Sequence, residues 1–557
     1  MFRILIGRII FLQKNIISFI PQMHHNLLLI LALLFSVFMM VMVAKKMNIA
    51  YPIFLVLAGL IISLLPSIPE IELDPDLVFL IFLPPLLYEA AWYTSWNDFW
   101  KWKRPIALLA FGLVFATSLI VAYLSQALIP GFTLALGFLL GGIISPPDAV
   151  AATTVLKGLP VPKRIISILE GESLVNDASS LIVFRFALAA ILTGIFSVNE
   201  AVGQFFLVAG MGIVIGLIGA GIMYLIHRFL PTTSAIDAAL TIMTPYILYL
   251  GAEQFHFSGV MAVVTGGLFI SYRSHEIFRN GNTRLNMLGV WTTVIFVMNA
   301  IVFILIGLSL PSIIRGLEEA SLIQGIKYGV IISIVVIIIR FLWVYPAAFV
   351  PRWLFKSVRK EQSPGWKGPL VIGWAGMRGV VSLATALSIP FTLSDGSPFP
   401  HRNLILLVTF IVIFITLVVQ GLTLPLIVKK LKIPAMDLVL PQEQQEAQIQ
   451  IRLNRLALNH INSNYHDIIH KSNLLKNYHA QISIETENTE NQLDLLECNT
   501  CTTQEIDKFE EILKEIYAKQ RIDIFQMRRE KYYDDEEIRK AELQLDLNDL
   551  KLNPNFH

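Results

Sequence analysis

Long apolar runs separated by short polar loops occupy most of the chain up to residue 434. We count thirteen runs of near-membrane length. A helix needs about 20 apolar residues to cross a bilayer, so this pattern predicts transmembrane helices. The runs cover residues 25–44, 50–66, 74–92, 105–126, 132–157, 165–193, 203–228, 235–251, 256–272, 287–311, 323–350, 367–393 and 402–429. The sequence therefore predicts an all-α polytopic membrane protein.

Composition supports this prediction and divides the chain. Hydrophobic residues make up 55% of it and charged residues 15%, which excludes a soluble globular domain. Residues 1–434 hold 29 Lys and Arg against 18 Asp and Glu, a net charge of +11. Residues 435–557 hold 14 against 23, a net charge of −9. We predict a transmembrane domain over 25–434, an acidic tail over 435–557, and a segment of unassigned structure over 1–24.

Spaced apolar residues in the tail predict amphipathic helices near 442–482 and 503–545, with a polar linker at 485–491. The tail also holds both cysteines, Cys498 and Cys501, as a lone C-x-x-C. A zinc site needs about four ligands, so this pair alone does not predict one.

The loop charges predict an orientation. Alternate loops, with the segment after the last run, hold twenty Lys and Arg residues, and the intervening loops hold three. Basic loops stay on the cytoplasmic side of a membrane. We therefore expect the tail to be cytoplasmic, and the alternation agrees with about thirteen spans.

Two of the predicted spans are interrupted. The fifth contains Ser145-Pro146-Pro147-Asp148, and adjacent prolines remove backbone donors and block a regular helix. The twelfth contains Gly373-Trp374-Ala375-Gly376-Met377-Arg378-Gly379. The interruptions lie seven spans apart, as expected for inverted six-helix repeats joined by one extra helix. Paired broken helices in inverted repeats are typical of secondary transporters with a site at the midplane. Tight helix packing is the alternative explanation for the small residues.

A polar cluster lies in the middle of the sixth span, in Glu172-Ser173-Leu174-Val175-Asn176-Asp177. Each charge near the bilayer centre costs about 2.5–3.5 kcal/mol, so such groups must face protein, water or an ion. Ser173 and Asp177 share one helix face, and Glu172 and Asn176 share another. We predict that Asp177 and Ser173 bind the transported ion. We expect Glu172 to pair with Arg378, the cation that we place at the membrane centre. Asn176 is expected to orient this pair, and a helix-packing amide is the alternative.

Two further carboxylates are candidates with alternatives. Asp148 follows the break in the fifth span, where it could cap a half-helix or provide ion access. Glu89 lies near the end of the third span, where it is a candidate access residue or a solvated rim residue.

This oxygen set suits a hard monovalent cation. A carboxylate shielded from water can hold a proton or a metal ion near neutral pH, but not both, and this competition is sufficient for exchange. Two other classes are weaker. An intramembrane aspartyl protease would have Gly-x-Gly-Asp at Asp148 or Asp177, and neither has it. A channel would need a continuous pore, whereas these charges look paired.

The residues resemble the sodium/proton exchangers of the monovalent cation/proton antiporter superfamily, in its Asn-Asp branch and closest to bacterial members. The resemblance covers roughly residues 25–432. Its motifs occur in order and are Leu83-Pro84-Pro85, Gly171-Glu172-Ser173-Leu174-Val175-Asn176-Asp177, Phe255-His256-Phe257-Ser258-Gly259 and Gly376-Met377-Arg378-Gly379.

The resemblance implies a homodimer in the bacterial inner membrane that works by alternating access and serves pH and sodium homeostasis. It implies that Asp177 binds Na⁺ or H⁺ with help from Ser173, and that Glu172 and Asn176 hold Arg378. It also implies that exchange is electroneutral, because Asn176 is not an aspartate. One departure is Pro147, where the family usually has a small residue such as Thr. Pro147 offers the ion only a carbonyl, so K⁺/H⁺ exchange or use of Li⁺ stays open. We expect no enzymatic activity, cofactor or nucleic-acid partner.

Overall fold

The computed structural model describes residues 31–47, 49–63, 75–156, 161–194, 198–278, 281–314, 319–359, 365–393, 395–433, 442–466, 472–497 and 504–530, with a few isolated positions between and beyond them. The segment 1–24 and both cysteines lie outside the described residues. The chain divides into two compact units, Met1–Asp437 and Leu438–His557. The predicted boundary after residue 434 stays a prediction.

Thirteen helical segments in the described part of the first unit correspond to the thirteen predicted runs and are named α1 to α13; three short helices, Trp96–Lys101, Leu310–Ile314 and Lys356–Arg359, lie between them. The bounds of α1 to α13 are 31–46, Tyr51–Ser63, Pro75–Tyr93, Lys103–Leu128, Leu134–Leu156, Lys163–Thr193, Val198–Phe229, Ser234–Glu253, Gly259–Ile277, Gly281–Leu308, Glu319–Leu354, 367–387 and Arg402–Leu431. Among described residues, eight of these helices are long and apolar enough to cross a membrane. The predicted all-α membrane fold is confirmed.

Both predicted interruptions break their helices. α5 consists of Leu134–Ile144 (α5a) and Ala149–Leu156 (α5b), with Pro146 and Pro147 in the gap. α12 consists of Lys367–Trp374 (α12a) and Val380–Leu387 (α12b), with two glycines in the gap. Breaks of this kind leave backbone N–H and C=O groups without helical partners. The sequence thus places four half-helix ends within the membrane domain.

α6 lies between two clusters of buried apolar side chains. Ile168 and Leu169 belong to a cluster built mainly by α2, α4, α5 and α10 to α13. Leu174, Ala178 and Leu181 belong to a second cluster, built mainly by α3 and α7 to α10. α6 ends where Gly194 adopts a positive φ of 72°, a conformation that glycine adopts without strain. This helix therefore carries its polar residues between two packed bodies.

Apolar side chains also cover much of the outer surface. α7 exposes a long series of them, including Phe206, Leu207, Ile218 and Ile222. An apolar surface of this extent is stable in lipid, where helices satisfy their own backbone groups. The chain is a multi-pass membrane protein.

The second unit is helical in its described residues, as predicted, but one detail of the prediction is wrong. Its helices are Gln442–Asn464, Asn473–Glu497 and Gln504–Glu530. The predicted linker at 485–491 lies inside the second of these. Ile482 and Thr486 are both buried and lie four residues apart, so this polar stretch keeps one packed helix face.

α2 and α10 cross with their backbones in close contact. A Cβ atom added at Gly307 would lie 2.5 Å from the Leu60 nitrogen and the Val56 oxygen. A Cβ atom added at Gly59 would lie 2.5 Å from the Ile304 oxygen. Small residues let membrane helices approach in this way.

We predict that Gly307→Ala destabilises the protein by about 1–3 kcal/mol, the usual cost of overpacking. The matched control is Gly289→Ala on the same helix, where an added Cβ meets nothing within 4 Å. Thermal unfolding of both variants in detergent measures the difference. Equal unfolding temperatures for the two variants would show that the close crossing contributes nothing.

Candidate functional site

The two broken helices cross at their gaps. The Asp148 backbone nitrogen donates a hydrogen bond of 2.7 Å to the Met377 carbonyl, which joins the α5 gap to the α12 gap. The N-terminal ends of α5b and α12b and the C-terminal ends of α5a and α12a therefore meet in one small region. Helix N-termini carry partial positive charge and C-termini partial negative charge, so side chains of both signs are needed there.

Asp148 serves the positive ends. Its Oδ1 accepts a 2.8 Å hydrogen bond from the Val150 nitrogen in the first turn of α5b. The carboxylate also interacts with the backbone N–H of Val380, the first residue of α12b. A Cβ added at Gly379 would collide with the same carboxylate. Of the two roles left open for Asp148, the geometry supports helix capping, and one side chain caps two half-helices.

Arg378 serves the negative ends. Its Nε donates to the Ile144 carbonyl over 3.0 Å, and its Nη2 lies 3.4 Å from the Ser145 carbonyl. Its Nη1 donates to the Gly376 carbonyl. The guanidinium thus satisfies carbonyls at the ends of α5a and α12a that no helix continues to bond. Its own backbone nitrogen donates to the Thr416 hydroxyl over 3.1 Å.

The predicted direct pair between Glu172 and Arg378 is wrong, because the arginine that pairs with Glu172 is Arg340. Arg340 of α11 forms a bidentate pair with Glu172, with Nη1–Oε1 at 2.6 Å and Nη2–Oε2 at 2.8 Å. Both side chains are 1% exposed. Arg340 Nε also donates to the Ile372 carbonyl on α12a over 3.1 Å. Arg378 is committed to backbone carbonyls, so Glu172 takes the arginine that faces it from α11.

Gly376 lies between the two arginines. A Cβ atom there would lie 2.3 Å from Arg340 Cδ, 2.5 Å from Arg340 Nε and 3.0 Å from Arg378 Nη1. Any larger residue would displace at least one guanidinium group. The glycine in the α12 break therefore has a second function, because it makes room for two buried cations beside one backbone.

The polar residues of α6 bind the α5 break. The Asn176 amide donates over 3.0 Å to the Pro147 carbonyl, and Ser173 Oγ accepts over 3.2 Å from the Ala149 nitrogen. Asn176 was predicted to hold Arg378, but it contacts the proline carbonyl instead. Pro147 keeps one carbonyl lone pair and Ser173 keeps its hydroxyl proton and a lone pair, so both can still coordinate an ion.

Asp177 differs from the other buried charges. It is the fifteenth of the 31 residues of α6 and is 7% exposed. Within the described residues, no cation or hydrogen-bond donor contacts its carboxylate, and the charged group that acts on it is the Asp148 carboxylate. Its negative charge therefore has a like charge as neighbour and no counter-charge among the described residues.

Glu89 is half-buried on α3, and a second carboxylate that the sequence reasoning missed acts on it. Glu170 of α6 is also half-buried and interacts electrostatically with Glu89. Glu170, Ser173 and Asp177 have the i, i+3, i+7 spacing of one helix face. This face connects the Lys163 end of α6 to its centre over about 21 Å.

Sequence reasoning also missed Arg340 and a helix irregularity. Apart from Lys327 near the start, Arg340 is the only Lys or Arg in the predicted run 323–350. A lone arginine inside an apolar run could have indicated a buried partner for Glu172. A π-helical stretch at Thr416–Gln420 in α13 supplies the hydroxyl that receives Arg378 N–H. Such stretches are frequent at functional sites, but no sequence pattern predicted this one.

Comparisons with known proteins point to one family of transporters. Residues 21–430 match the sequence model of a family described as sodium/hydrogen exchanger, transmembrane. A sodium, potassium, lithium and rubidium/H⁺ antiporter of Bacillus pumilus is 37% identical over 387 residues, which are 68% of this chain and 58% of that protein. The chain thus spans less than two thirds of that relative's length. The Na⁺/H⁺ antiporter ApNhaP of Aphanothece halophytica is 36% identical over 388 residues, which are 69% of this chain and 70% of that protein.

A solved structure has the same fold. The sodium proton antiporter MjNhaP1 from Methanocaldococcus jannaschii, determined at pH 8, superposes with a TM-score of 0.56 at 20% identity. The match covers 72% of this chain and 97% of that one. At this identity the likeness concerns the fold alone.

We predict that Arg340→Gln destabilises the protein by about 3–5 kcal/mol, because it leaves the buried Glu172 charge unpaired. The control is Arg185→Gln, which breaks the Arg185–Glu253 pair, 44% and 27% exposed. That pair is solvated, and its loss should cost about 0–1 kcal/mol. Thermal unfolding in detergent measures both, and similar losses in the two variants would contradict a structural role for the Arg340 pair.

Proposed function

The chain belongs to the sodium/hydrogen exchanger family, and on this premise we propose that it is an antiporter that exchanges Na⁺ for H⁺ across a membrane at Asp177. The observation that carries the proposal is the isolation of the Asp177 carboxylate. A buried carboxylate without a protein counter-charge must take up a cation or a proton, and it cannot hold both.

The surroundings of Asp177 support Na⁺ as the metal ion. Ser173, one turn earlier on α6, and the Pro147 carbonyl in the α5 break offer uncharged oxygens. Hard cations prefer oxygen ligands, and breaks in transporter helices commonly supply backbone carbonyls to Na⁺. Transport then consists of binding and release alone, with no covalent step and no cofactor.

The crossed helices support alternating access. Arg340–Glu172, Arg378 and Asp148 fix the half-helix ends to each other, so the broken helices and α6 form one connected body around the site. Such a body can move against the remaining helices with the ion in place. Glu170 and Glu89 are candidate access residues, because Glu170 shares a helix face with Ser173 and Asp177 and interacts with Glu89.

We propose electroneutral exchange. One carboxylate that alternates between one Na⁺ and one H⁺ moves no net charge. The membrane potential, worth about 2.3 kcal/mol per charge per 100 mV, then drives nothing. A pH difference of one unit contributes about 1.4 kcal/mol, so the two ion gradients set the direction. This behaviour suits pH and sodium homeostasis.

K⁺/H⁺ exchange is the second candidate. The Bacillus pumilus relative is an antiporter named for potassium, lithium and rubidium as well as sodium. Pro147 removes a side-chain hydroxyl from the expected position and leaves the ligand set less specific. One vesicle preparation, tested with Na⁺, Li⁺, K⁺ and Rb⁺ in turn, separates the two candidates.

The setting of the transporter is part of the proposal. The excess of Lys and Arg in alternate loops supports a cytoplasmic tail. We propose a bacterial inner membrane from the resemblance to bacterial exchangers. A homodimer follows from the resemblance to the antiporters. Mass photometry of the purified protein in nanodiscs measures that oligomeric state.

We predict that Asp177→Asn abolishes Na⁺-dependent proton flux in proteoliposomes, because an amide cannot exchange a proton for a metal ion. The control is Asp395→Asn. Asp395 is exposed in the loop before α13, and hydrogen bonds from Ser397 lower its pKa, so it stays ionised through the assay. A pH-sensitive dye reports flux when Na⁺ is added. Full flux in Asp177→Asn, or none in the wild type, rules out the proposed site.

We predict that the exchange rate does not depend on membrane potential. Potentials set with valinomycin and a K⁺ gradient should leave the initial Na⁺-driven proton flux unchanged, provided that K⁺ itself is shown not to be transported. A rate that rises or falls with the imposed potential would show that each cycle moves net charge.

A further inference from the structure

A cavity of about 500 Å³ opens at one end of the membrane domain, away from Asp177. Its walls come from the start of α4, the start of α6, the end of α11 and the start of α12a. In the loop-charge pattern these four ends all lie on the side rich in Lys and Arg. The volume is typical of ligand sites. We call this cavity the basic pocket.

The rim of the basic pocket is positively charged. Among the described residues that line it, six are lysines or arginines and none is a carboxylate; the six are Lys101, Lys103, Arg104, Arg164, Arg352 and Lys367. Positive charges that converge on a concave surface raise the local concentration of anions.

Three of the cations lie over aromatic rings, and the first of them is Lys101, with its Nζ 5.2 Å from the centre of the Trp102 ring. The Arg164 guanidinium lies 4.2 Å from the centre of the Trp102 ring, and Lys103 Nζ lies 4.0 Å from the Trp100 ring. Trp366, which is 57% exposed, also lines the opening. Tryptophans at this level are typical of the boundary between lipid headgroups and acyl chains.

The floor of the basic pocket is apolar. Leu109, Ile168 and Ile372 line it, with Val344 and Ala348 of α11 beside them. Ile168 lies five residues inside α6 from Lys163, and Ile372 lies five residues inside α12a from Lys367, a depth of about 8 Å along each helix. A ligand that fits has an anionic end at the rim and an apolar end below it.

The floor also contacts the structural centre of the transporter. The Ile372 carbonyl accepts the hydrogen bond from Arg340 Nε, and Val344 lies one helical turn after Arg340. A ligand in the pocket therefore packs against α6, α11 and α12a, the three helices that the Glu172–Arg340 pair holds together. Its binding should stabilise that assembly.

We propose that the basic pocket binds an anionic phospholipid, with the phosphate at the rim and part of one acyl chain on the apolar floor. A free anion would use the rim and leave the floor unoccupied. A zwitterionic lipid would use the floor, but it would bring its own positive headgroup next to the rim cations. Lipid binding at this site does not depend on which ion Asp177 exchanges. The two proposals can therefore be tested, and rejected, separately.

The test uses the full chain, purified in mild detergent and depleted of lipid. Thermal unfolding is followed with added phosphatidylglycerol, phosphatidylcholine or inorganic phosphate, and retained lipid is counted by native mass spectrometry. We expect phosphatidylglycerol alone to raise the unfolding temperature. The double variant Lys103→Gln with Arg164→Gln should bind phosphatidylglycerol at least about tenfold more weakly, because it removes two of the cations.

Two further variants keep the test decisive. Ala348→Trp fills the floor and leaves every cation, so it should also abolish the stabilisation, and it decides the outcome if the double variant does not fold. The control Lys45→Gln with Lys46→Gln removes two exposed charges outside the pocket and should keep the full effect. Equal stabilisation by phosphatidylcholine or by inorganic phosphate overturns the proposal. An equal loss in the control, or no loss in the pocket variants, overturns it as well.

Discussion

The crossing of two broken helices is the constraint on which the rest of the membrane domain depends. A break at membrane depth leaves backbone groups that lipid cannot satisfy, and here two breaks lie against each other. The Asp148 nitrogen and the Met377 carbonyl bond directly. The remaining groups are divided by sign, with Asp148 on the helix N-termini and Arg378 on the C-terminal carbonyls. Asp148 and Arg378 are therefore needed for the crossing itself, whichever ion the protein carries.

The polar residues of α6 lie on two faces that have different roles. Glu172 and Asn176 face the neighbouring helices, where Glu172 forms the pair with Arg340 and Asn176 holds the Pro147 carbonyl. Ser173 and Asp177 lie on the face that continues to Glu170. The helix therefore separates charges that maintain the structure from a charge that the structure leaves uncompensated. A buried ion pair costs desolvation and often gives little net stability, so its value here is to fix positions.

The sequence predicted the helices, both breaks and the importance of the α6 cluster, because each depends on local signals. Apolar runs, Pro146-Pro147 and the glycines around Arg378 act within a few residues of their own position. The partner of Glu172 could not be predicted in the same way. Arg340 and Arg378 are both lone cations in apolar runs, and the choice between them depends on how α11 and α12 pack against α6. The prediction of a linker at 485–491 was wrong for a related reason, because it also depended on packing. A polar stretch remains helical when one position in each turn is buried.

The buried charges at the crossing also have a consequence for leakage. Arg340 and Arg378 contribute two positive charges, and Glu172, Asp148 and Asp177 contribute three negative ones, when all five are ionised. On the proposed mechanism, one bound Na⁺ or one bound proton brings this group to neutrality. The empty body would carry a net negative charge into the low-dielectric part of the membrane, where charge is most costly. The empty body therefore does not change sides, whereas the neutral body loaded with Na⁺ or H⁺ can. This difference in charge would prevent one ion from crossing unless the other returns.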